Sequence, residues 1–525
     1  MLHSGFLQSS ERYTDRPAVE VAGQSLSYGE LRSRAASLAA TLQQQSPPGG
    51  LPLTAVFAYR SATAFAGVLA SLFRGHAYVP LNRTFPVDRT RTMLFRSDCN
   101  EIIVDHDSAT QIEEVLQGIG KRLLVLMPEH KNVEEFREKL SDHIVLGADD
   151  LSPAETCDLS RVSPDCMAYL LFTSGSTAIP KGVAVAQRNV MHFVEVMVNR
   201  YGITEQDRFS QTFDMTFDLS AFDMFVAWER GACLCCPTKK TMFNPSRFIQ
   251  SGQLTVWFSV PSVAGLMKRL GVLKPNYYPT LRWSLFCGEA LPVEVAEAWA
   301  DAAPNSQLEN LYGPTELTIA CTLYRWNRQT SPKDCLHGVV PIGEPYPGMD
   351  VLVVNEALAE VAPGEEGELL MTGPQLTLGY WQDPEKTAKA YVIPPAKTAV
   401  YYRTGDRVRR PFGGNPLVYC GRLDHQIKIL GHRLELGEVE AVLRQEAGVE
   451  SVAALGWPLT PGGVAGVVAF IAGASIDAEA LRIKLQEKLP GYAIPREIHL
   501  LPELPVNVNG KVDRRALQTR LEGTA

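Results

Sequence analysis

The sequence predicts an α/β protein: a large N-terminal domain built on a mostly parallel sheet, followed by a small mobile α+β domain. Three observations predict it. Short apolar runs alternate with helical patterns, the character of the chain changes near residue 422, and 525 residues with 45% hydrophobic content can bury more than one core. Taken in order, Ser27-Tyr-Gly-Glu30 is a capping box that opens an amphipathic helix through about Leu42. Leu53 to Tyr59 reads as a buried strand, Ala62 to Phe73 as a helix and Ala77 to Leu81 as the next strand, which is βαβ order. Apolar runs at Glu101–Val104, Leu123–Leu126, Ala168–Phe172 and Val256–Val260 extend the alternation. From Gly421-Arg-Leu-Asp424 onward the tail is compact. It reads as a strand at Gln426–Leu430, a helix from about Glu438 to Gln445, strands at Ser451–Leu455 and Val467–Ala472, and a helix from Asp477 to Leu489. The predicted domains are 1–423 and 424–525, joined so tightly that they should move as rigid bodies about a hinge.

Fifty basic residues against 58 acidic ones give a formal charge of −8, and no run of Lys or Arg suggests nucleic-acid or anionic-membrane binding. The N-terminus lacks a charged region followed by an apolar one, and the most apolar segment, Gly463 to Ile476, is too short and Gly/Ala-rich to span a bilayer, so a cytoplasmic location is expected. Ten scattered cysteines fit reduced thiols rather than a disulfide framework. Cys233, Cys235 and Cys236 lack the Cys-x-x-Cys metal spacing and read as small apolar residues packed on a strand.

Several stretches concentrate chemistry. Leu170 to Val183 is a strand followed by Thr173, Ser174, Gly175, Ser176, Thr177, Lys181 and Gly182, the composition of a loop that cradles phosphate. Its glycine spacing is not that of the common nucleotide loop, and a solvated turn is the plain alternative. Asn310-Leu-Tyr-Gly-Pro-Thr-Glu316 puts a ring able to stack on a base, a hydroxyl and a carboxylate suited to a hard cation within one turn, or else is a strand end with a surface Glu. Asp406 in Tyr402-Arg-Thr-Gly-Asp406 could accept from two vicinal hydroxyls or simply close a surface turn. Phe213 to Asp223 carries several acids in an apolar run, of which Asp214 and Asp223 read as surface or capping residues. Pro505 to Arg514 holds an Asn-Gly turn that presents Lys511.

These motifs together resemble the adenylate-forming superfamily, and in particular the amino-acid adenylation enzymes of nonribosomal peptide synthesis, over nearly the whole chain. The resemblance implies ATP and Mg²⁺ as cofactors. It assigns the ATP phosphates to Thr173, Ser174, Gly175, Ser176, Thr177 and Lys181, with Ala178 standing where the family has a second glycine. Tyr312 would meet adenine beside Gly288 and Gly313, Thr315 a phosphate and Glu316 the Mg²⁺. Asp406 would bind ribose, with Arg422 as a second ribose or phosphate contact. Asp424 would be the hinge, and Gly431-His-Arg-Leu-Glu-Leu-Gly437 the loop that swings in for thioester formation, with Leu430 replacing the usual Arg. Lys511 would enter the site as a catalytic cation between substrate carboxylate and α-phosphate, where two anions must approach each other.

By the same resemblance Asp218 accepts the substrate α-ammonium, which offsets the cost of a carboxylate in an apolar pocket. Leu219, Phe222, Phe258, Leu285, Cys287, Leu311, Ile319 and Ala320 form the pocket wall. This set holds no second charge and suggests a small or flat apolar side chain, a pattern similar to that of free-standing prolyl-carrier-protein ligases. The implied reaction is formation of prolyl-AMP and transfer to the phosphopantetheine thiol of a separate carrier protein, since no Gly-Gly-x-Ser carrier motif or His-His-x-x-x-Asp condensation motif is present. Competing readings are another small apolar or β-amino acid, an acyl- or aryl-CoA synthetase, which has no need of Asp218, and a non-enzymatic nucleotide-binding scaffold, against which Glu316, Asp406 and Lys511 speak together.

Overall fold

A computed structural model describes residues 1–159, 163–175, 179–460, 462–473, 476–506 and 512–523. Two largely parallel sheets form the body. The seven-stranded sheet runs Ile144–Leu146, Leu124–Leu126, Glu101–Val104, Leu53–Phe57, Ala77–Leu81, Met167–Thr173, Lys181–Ala186, and only its last pair is antiparallel. The nine-stranded sheet has a parallel centre in which Pro17–Val21, Cys233–Cys235, Arg208–Ser210, Val256–Ser259, Trp283–Phe286 and Gln307–Tyr312 lie side by side. The βαβ order read from the sequence produces this arrangement, because each helix carries the chain back to start the next parallel strand. The capping box is present: the Ser27 Oγ accepts from Glu30 N–H at 3.2 Å and the Glu30 carboxylate accepts from Ser27 N–H at 2.8 Å.

Two features go beyond the expectation. A third, five-stranded sheet built from Asp350–Val354, Glu366–Thr372, Tyr391–Val392, Tyr401–Arg409 and Val418–Arg422 is wholly antiparallel. The one helix on its path, Pro384–Ala390, leads into the short strand Tyr391–Val392, which pairs antiparallel with Tyr401–Arg409. Asp223 is a correction: this residue, read as a surface or capping acid, is fully buried in the helix Leu219–Trp228, all ten residues of which are buried. Asp214 does cap its turn, accepting from the Thr216 N–H at 2.9 Å. Cys233, Cys235 and Cys236 are buried among apolar neighbours as read.

The tail has a core of its own, in which Ile429, Leu434, Val439, Leu443, Val452 and Ile471 meet. It comprises a hairpin of Gln426–Ile429 and His432–Glu435, a sheet of Val452–Gly456, Val467–Ala472 and Glu497–Leu501, and helices Leu436–Ala447, Ala478–Gln486 and Arg514–Glu522. The hairpin turn is Leu430 and Gly431, both with positive φ (51° and 80°). Such a two-residue turn matches the right-handed twist of the strands and favours glycine at its second position.

Candidate active site

The glycine- and hydroxyl-rich stretch is the turn of the antiparallel hairpin between Met167–Thr173 and Lys181–Ala186, with Thr173 paired to Lys181. The turn is tight. A Cβ on Gly175 would lie 2.2 Å from the Ile179 carbonyl oxygen, a backbone atom that cannot step aside. Among the described residues the buried Thr173 Oγ1 has no partner. Lys181 is buried, its Nζ 3.4 Å from Glu316 Oε1 and 4.8 Å above the Tyr380 ring. Burial and then the neighbouring Arg433 cation lower the Lys181 ammonium to about 8. Ser176, Thr177, Ala178 and Lys511 lie outside the described residues.

The strand Gln307–Tyr312 ends at this turn and delivers the next cluster. Tyr312 donates its hydroxyl to Asp406 Oδ2 at 2.5 Å, and Asp406 Oδ1 accepts from Arg422 at 2.7 Å. The same guanidinium forks onto Asp424, with Nε and one terminal nitrogen on its two oxygens at 2.7 and 2.8 Å. A cavity of about 520 Å³ opens beside Tyr312, with Gly288, Gly313, Asn310 and Arg422 on its wall. Asn310 donates to the Pro341 carbonyl at 2.9 Å, while its Oδ1 is buried and without a partner among the described residues. That leaves one unused acceptor, fit for an amino group such as that of adenine.

Asp218, one residue before the helix Leu219–Trp228, is 7% exposed. Its Oδ2 accepts from the Ile319 N–H at 3.2 Å, and burial raises its carboxyl to about 7 despite the Thr315 hydroxyl bond that opposes the rise. The N–H is aimed there by an unusual turn: Thr318 and Ile319, both β-branched, hold positive φ of 57° and 71°. Consecutive β-branched residues in the left-handed region are strained, and such strain gathers at functional sites. Leu219, Cys287, Gly288, Gly313 and Thr315 surround a small cavity of about 90 Å³ at the carboxylate. Burial pushes the Cys287 thiol up to about 12, so it is a neutral wall group. Phe222, Phe258, Leu285, Leu311, Ile319 and Ala320, all at most 2% exposed, do not line this cavity, and Leu311 lies on the wall of the larger one. The rings of Phe222 and Phe258 meet edge to face at 4.8 Å.

Residues distant in sequence complete the centre. Glu316 is fully buried, and its two oxygens each lie 3.1 Å from a guanidinium nitrogen of Arg433, on the C-terminal hairpin. Tyr380 donates its hydroxyl to Glu316 at 2.7 Å. Burial favours the neutral acid, but Arg433 and Lys181 outweigh it and hold Glu316 well below the usual carboxylate range. A family model described as AMP-binding enzyme matches residues 6–381, and one described as AMP-binding enzyme C-terminal domain matches residues 438–511. The chain belongs to the AMP-binding enzyme family.

This AMP-binding enzyme is 32% identical to an L-proline--[L-prolyl-carrier protein] ligase of Pseudomonas fluorescens, with all of both chains covered. It is 31% identical to the delta-poly-L-ornithine synthetase of Acinetobacter baumannii over 98% of this chain and 36% of that protein. The chain spans less than half the length of several curated relatives that it matches. Among solved structures, the adenylation domain AlmE of Vibrio cholerae in complex with glycyl-adenosine-5'-phosphate superposes with a TM-score of 0.89 at 31% identity, covering 99% of this chain and 98% of that one.

In this AMP-binding enzyme the structure brings Asp218, Thr315, Asp406 and Arg422 to the wall of one cavity and Tyr312 and Arg422 to that of the other, while Lys181 and Glu316 line neither and meet Arg433 beside the first. Glu316 in this arrangement does not fit a hard divalent cation, because both oxygens already face protein cations and the Tyr380 hydroxyl. The sequence assigns no role to Asn310, Tyr380 or Arg433. Asn310 and Arg433 lie within the quoted motifs, where the density of polar groups is the available signal, and Tyr380 carries none. Leu430, the departure from the family pattern, is 61% exposed at the hairpin tip.

Proposed function

We propose that this AMP-binding enzyme is an ATP-dependent ligase that activates a small apolar amino acid, L-proline foremost, as its aminoacyl adenylate and passes the acyl group to the phosphopantetheine thiol of a carrier protein. The observation that carries the reading is the Asp218 recess. A carboxylate that sits 7% exposed, with backbone N–H groups and the Thr315 hydroxyl on it but no cation paired with it, has acceptor capacity left for a cation. An α-ammonium meets that need, and a proline ring beside Leu219 and Cys287 would stop at Phe222 and Phe258. The Pseudomonas relative is named for L-proline and the Vibrio structure holds a glycyl adenylate; both names support a small amino acid. The eight wall positions Leu219, Phe222, Phe258, Leu285, Cys287, Leu311, Ile319 and Ala320 include no charged side chain.

On this reading adenine lies in the cavity beside Tyr312 and Asn310, Asp406 and Arg422 take the ribose, and Thr173, Ser174, Gly175, Ser176, Thr177, Lys181 and Thr315 face the phosphates. An oxygen of the amino-acid carboxylate attacks the α-phosphorus of ATP, and the bond from that phosphorus to pyrophosphate breaks. Lys511, by its place in the closing motif, offsets the charge of the two anions as they meet. In the second half-reaction the thiol sulfur attacks the acyl carbon, the bond to AMP oxygen breaks, AMP leaves as an anion and the thiol proton passes to solvent. No step is assigned to Mg²⁺, given the cations already on Glu316. Asp424 is the hinge and residue 423 the end of the large domain. Ten free cysteines suit a cytoplasmic location, and among the described residues no helix is long and apolar enough to cross a membrane.

Amino-acid-dependent pyrophosphate exchange tests the reading, with proline, glycine, alanine, leucine, phenylalanine, β-alanine and benzoate as substrates. Proline should exchange fastest, and pipecolate and valine, added to the series, should show some leakage, because an apolar pocket discriminates one methylene by only about 1–3 kcal/mol. Leucine or phenylalanine as fast as proline would remove the prolyl assignment, and exchange with benzoate alone would remove the amino acid.

A further inference from the structure

Away from the reaction centre, one face of the nine-stranded sheet gathers a second set of reactive side chains. Cys233 and Cys235 lie two apart on one strand, so both side chains point to the same face, and their sulfurs are 3.9 Å apart. Cys236 turns to the opposite face and joins another core. The neighbouring parallel strand sets Glu20 level with Cys235, and the strand on the other side sets Arg208 level with Cys233. A Glu20 carboxylate oxygen and the two sulfurs all lie within 4.8 Å of one another. Arg208 reaches across the cysteine strand to donate to Glu20 Oε2 at 2.7 Å and donates to the Gly252 carbonyl at 2.6 Å, which leaves Oε1 without a donor among the described residues. Both cysteines are buried, whereas 37% of the Glu20 side chain is exposed and opens the group to solvent. None of these residues lines either cavity of the active site.

We propose that Cys233, Cys235 and Glu20 form a site for a thiophilic divalent cation, zinc foremost, which ties the strand Pro17–Val21 to the centre of the sheet. The Cys-x-x-Cys spacing that these cysteines lack belongs to turns; on a strand it is Cys-x-Cys that places two sulfurs side by side. Zinc–sulfur bonds of about 2.3 Å at the tetrahedral angle put two sulfurs about 3.8 Å apart, a separation that the strand already supplies. Each sulfur gives up its proton to solvent as its bond to the cation forms. Two thiolates and a carboxylate then carry three negative charges, and a divalent cation with Arg208 supplies three positive ones. Arg208 is the outer partner that holds the ligating carboxylate in place. Three protein ligands leave the fourth position to water, and a pair of thiolates selects zinc over magnesium. Apolar packing accounts for two buried thiols, but not for a carboxylate held against both.

The test uses the full chain, stripped of metal by a chelator and titrated with zinc and, separately, with cadmium, whose bonds to thiolate absorb in the ultraviolet. Equilibrium dialysis should find one zinc per chain, and zinc should raise the melting temperature, because a ligand that binds only the folded chain stabilises it. Cys235→Ala should lose the bound zinc, the thermal shift and at least about half of the cadmium absorbance. Cys157→Ala and Cys335→Ala, at half-buried cysteines elsewhere, should keep all three. Glu20→Gln should weaken zinc binding by about tenfold or more. Its position is partly exposed, so it guards against a loss caused by misfolding, and circular dichroism of the metal-free variants checks that they are folded. Failure of the wild-type chain to take up one zinc, equal cadmium absorbance in wild type and Cys235→Ala, or unchanged zinc affinity in Glu20→Gln would each overturn the proposal.

Discussion

At the scale of single residues, two buried carboxyls in neighbouring turns of one helix have opposite prospects. Asp218 titrates at about 7 and binds an ammonium only when ionised. In the free enzyme kcat/KM for proline should therefore fall about tenfold per pH unit below that value, with ATP saturating, and a pH–rate profile checks it. Asp218→Ala should raise the KM for proline at least about tenfold, since a charge-assisted bond in a partly dry site is worth roughly 1.5–3 kcal/mol; unchanged kinetics would disqualify the amine-binding role. The folded-state carboxyl lies above its unfolded value, so its contribution to stability is fully present below the unfolded value and fades as pH rises through about 7. Asp223 is buried with both oxygens lacking partners among the described residues, and burial holds it protonated well above the usual range. Asp223→Asn, which keeps the shape and removes the ionisable group, should shift stability by no more than about 1 kcal/mol in urea unfolding. The sequence misled here for a physical reason. An acid in an apolar run is usually solvated, and only the burial of the whole helix, legible in a composition that is apolar apart from this residue and Ser220, argued otherwise.

At the scale of elements, the order of strands and helices in the first half was legible because each βαβ unit writes its own period, and the helix Ala62–Phe73 has the bounds read from the sequence. The antiparallel sheet of residues 350–422 was not, although two of its strands run to seven and nine residues, since no alternation of strand and helix marks it. The turn proposed for the phosphates stood out by its composition. Its form as a hairpin was hidden, because Lys181–Ala186 lacks any turn signal of its own other than Pro180. This form makes a sharp expectation. Gly175→Ala should cut pyrophosphate exchange by about tenfold or more while the melting temperature moves by only a few degrees, because the Cβ meets the Ile179 carbonyl across the turn and deforms the loop rather than the sheet. A variant with normal exchange would free this loop from the ATP site.

At the scale of the whole molecule, Lys181, Glu316, Tyr380 and Arg433 come from four distant segments, and no local pattern reveals that they meet. The motifs announced their chemistry but not their company. On the proposed reading the hinge is tested by Asp424→Pro, which fixes φ. It should spare exchange and slow carrier loading, and equal losses in the two assays would count against movement between half-reactions.

Arg422 holds Asp406 with one nitrogen and Asp424 with two others, so the carboxylate proposed for the ribose and the residue proposed for the pivot are clamped by a single planar cation. Such a clamp is a mechanical rocker. Whatever pulls Asp406 toward a sugar turns the guanidinium plane and tugs the joint, and a joint that swings must loosen its hold on the sugar. Nucleotide affinity and domain posture are, through that one side chain, two readings of the same torque.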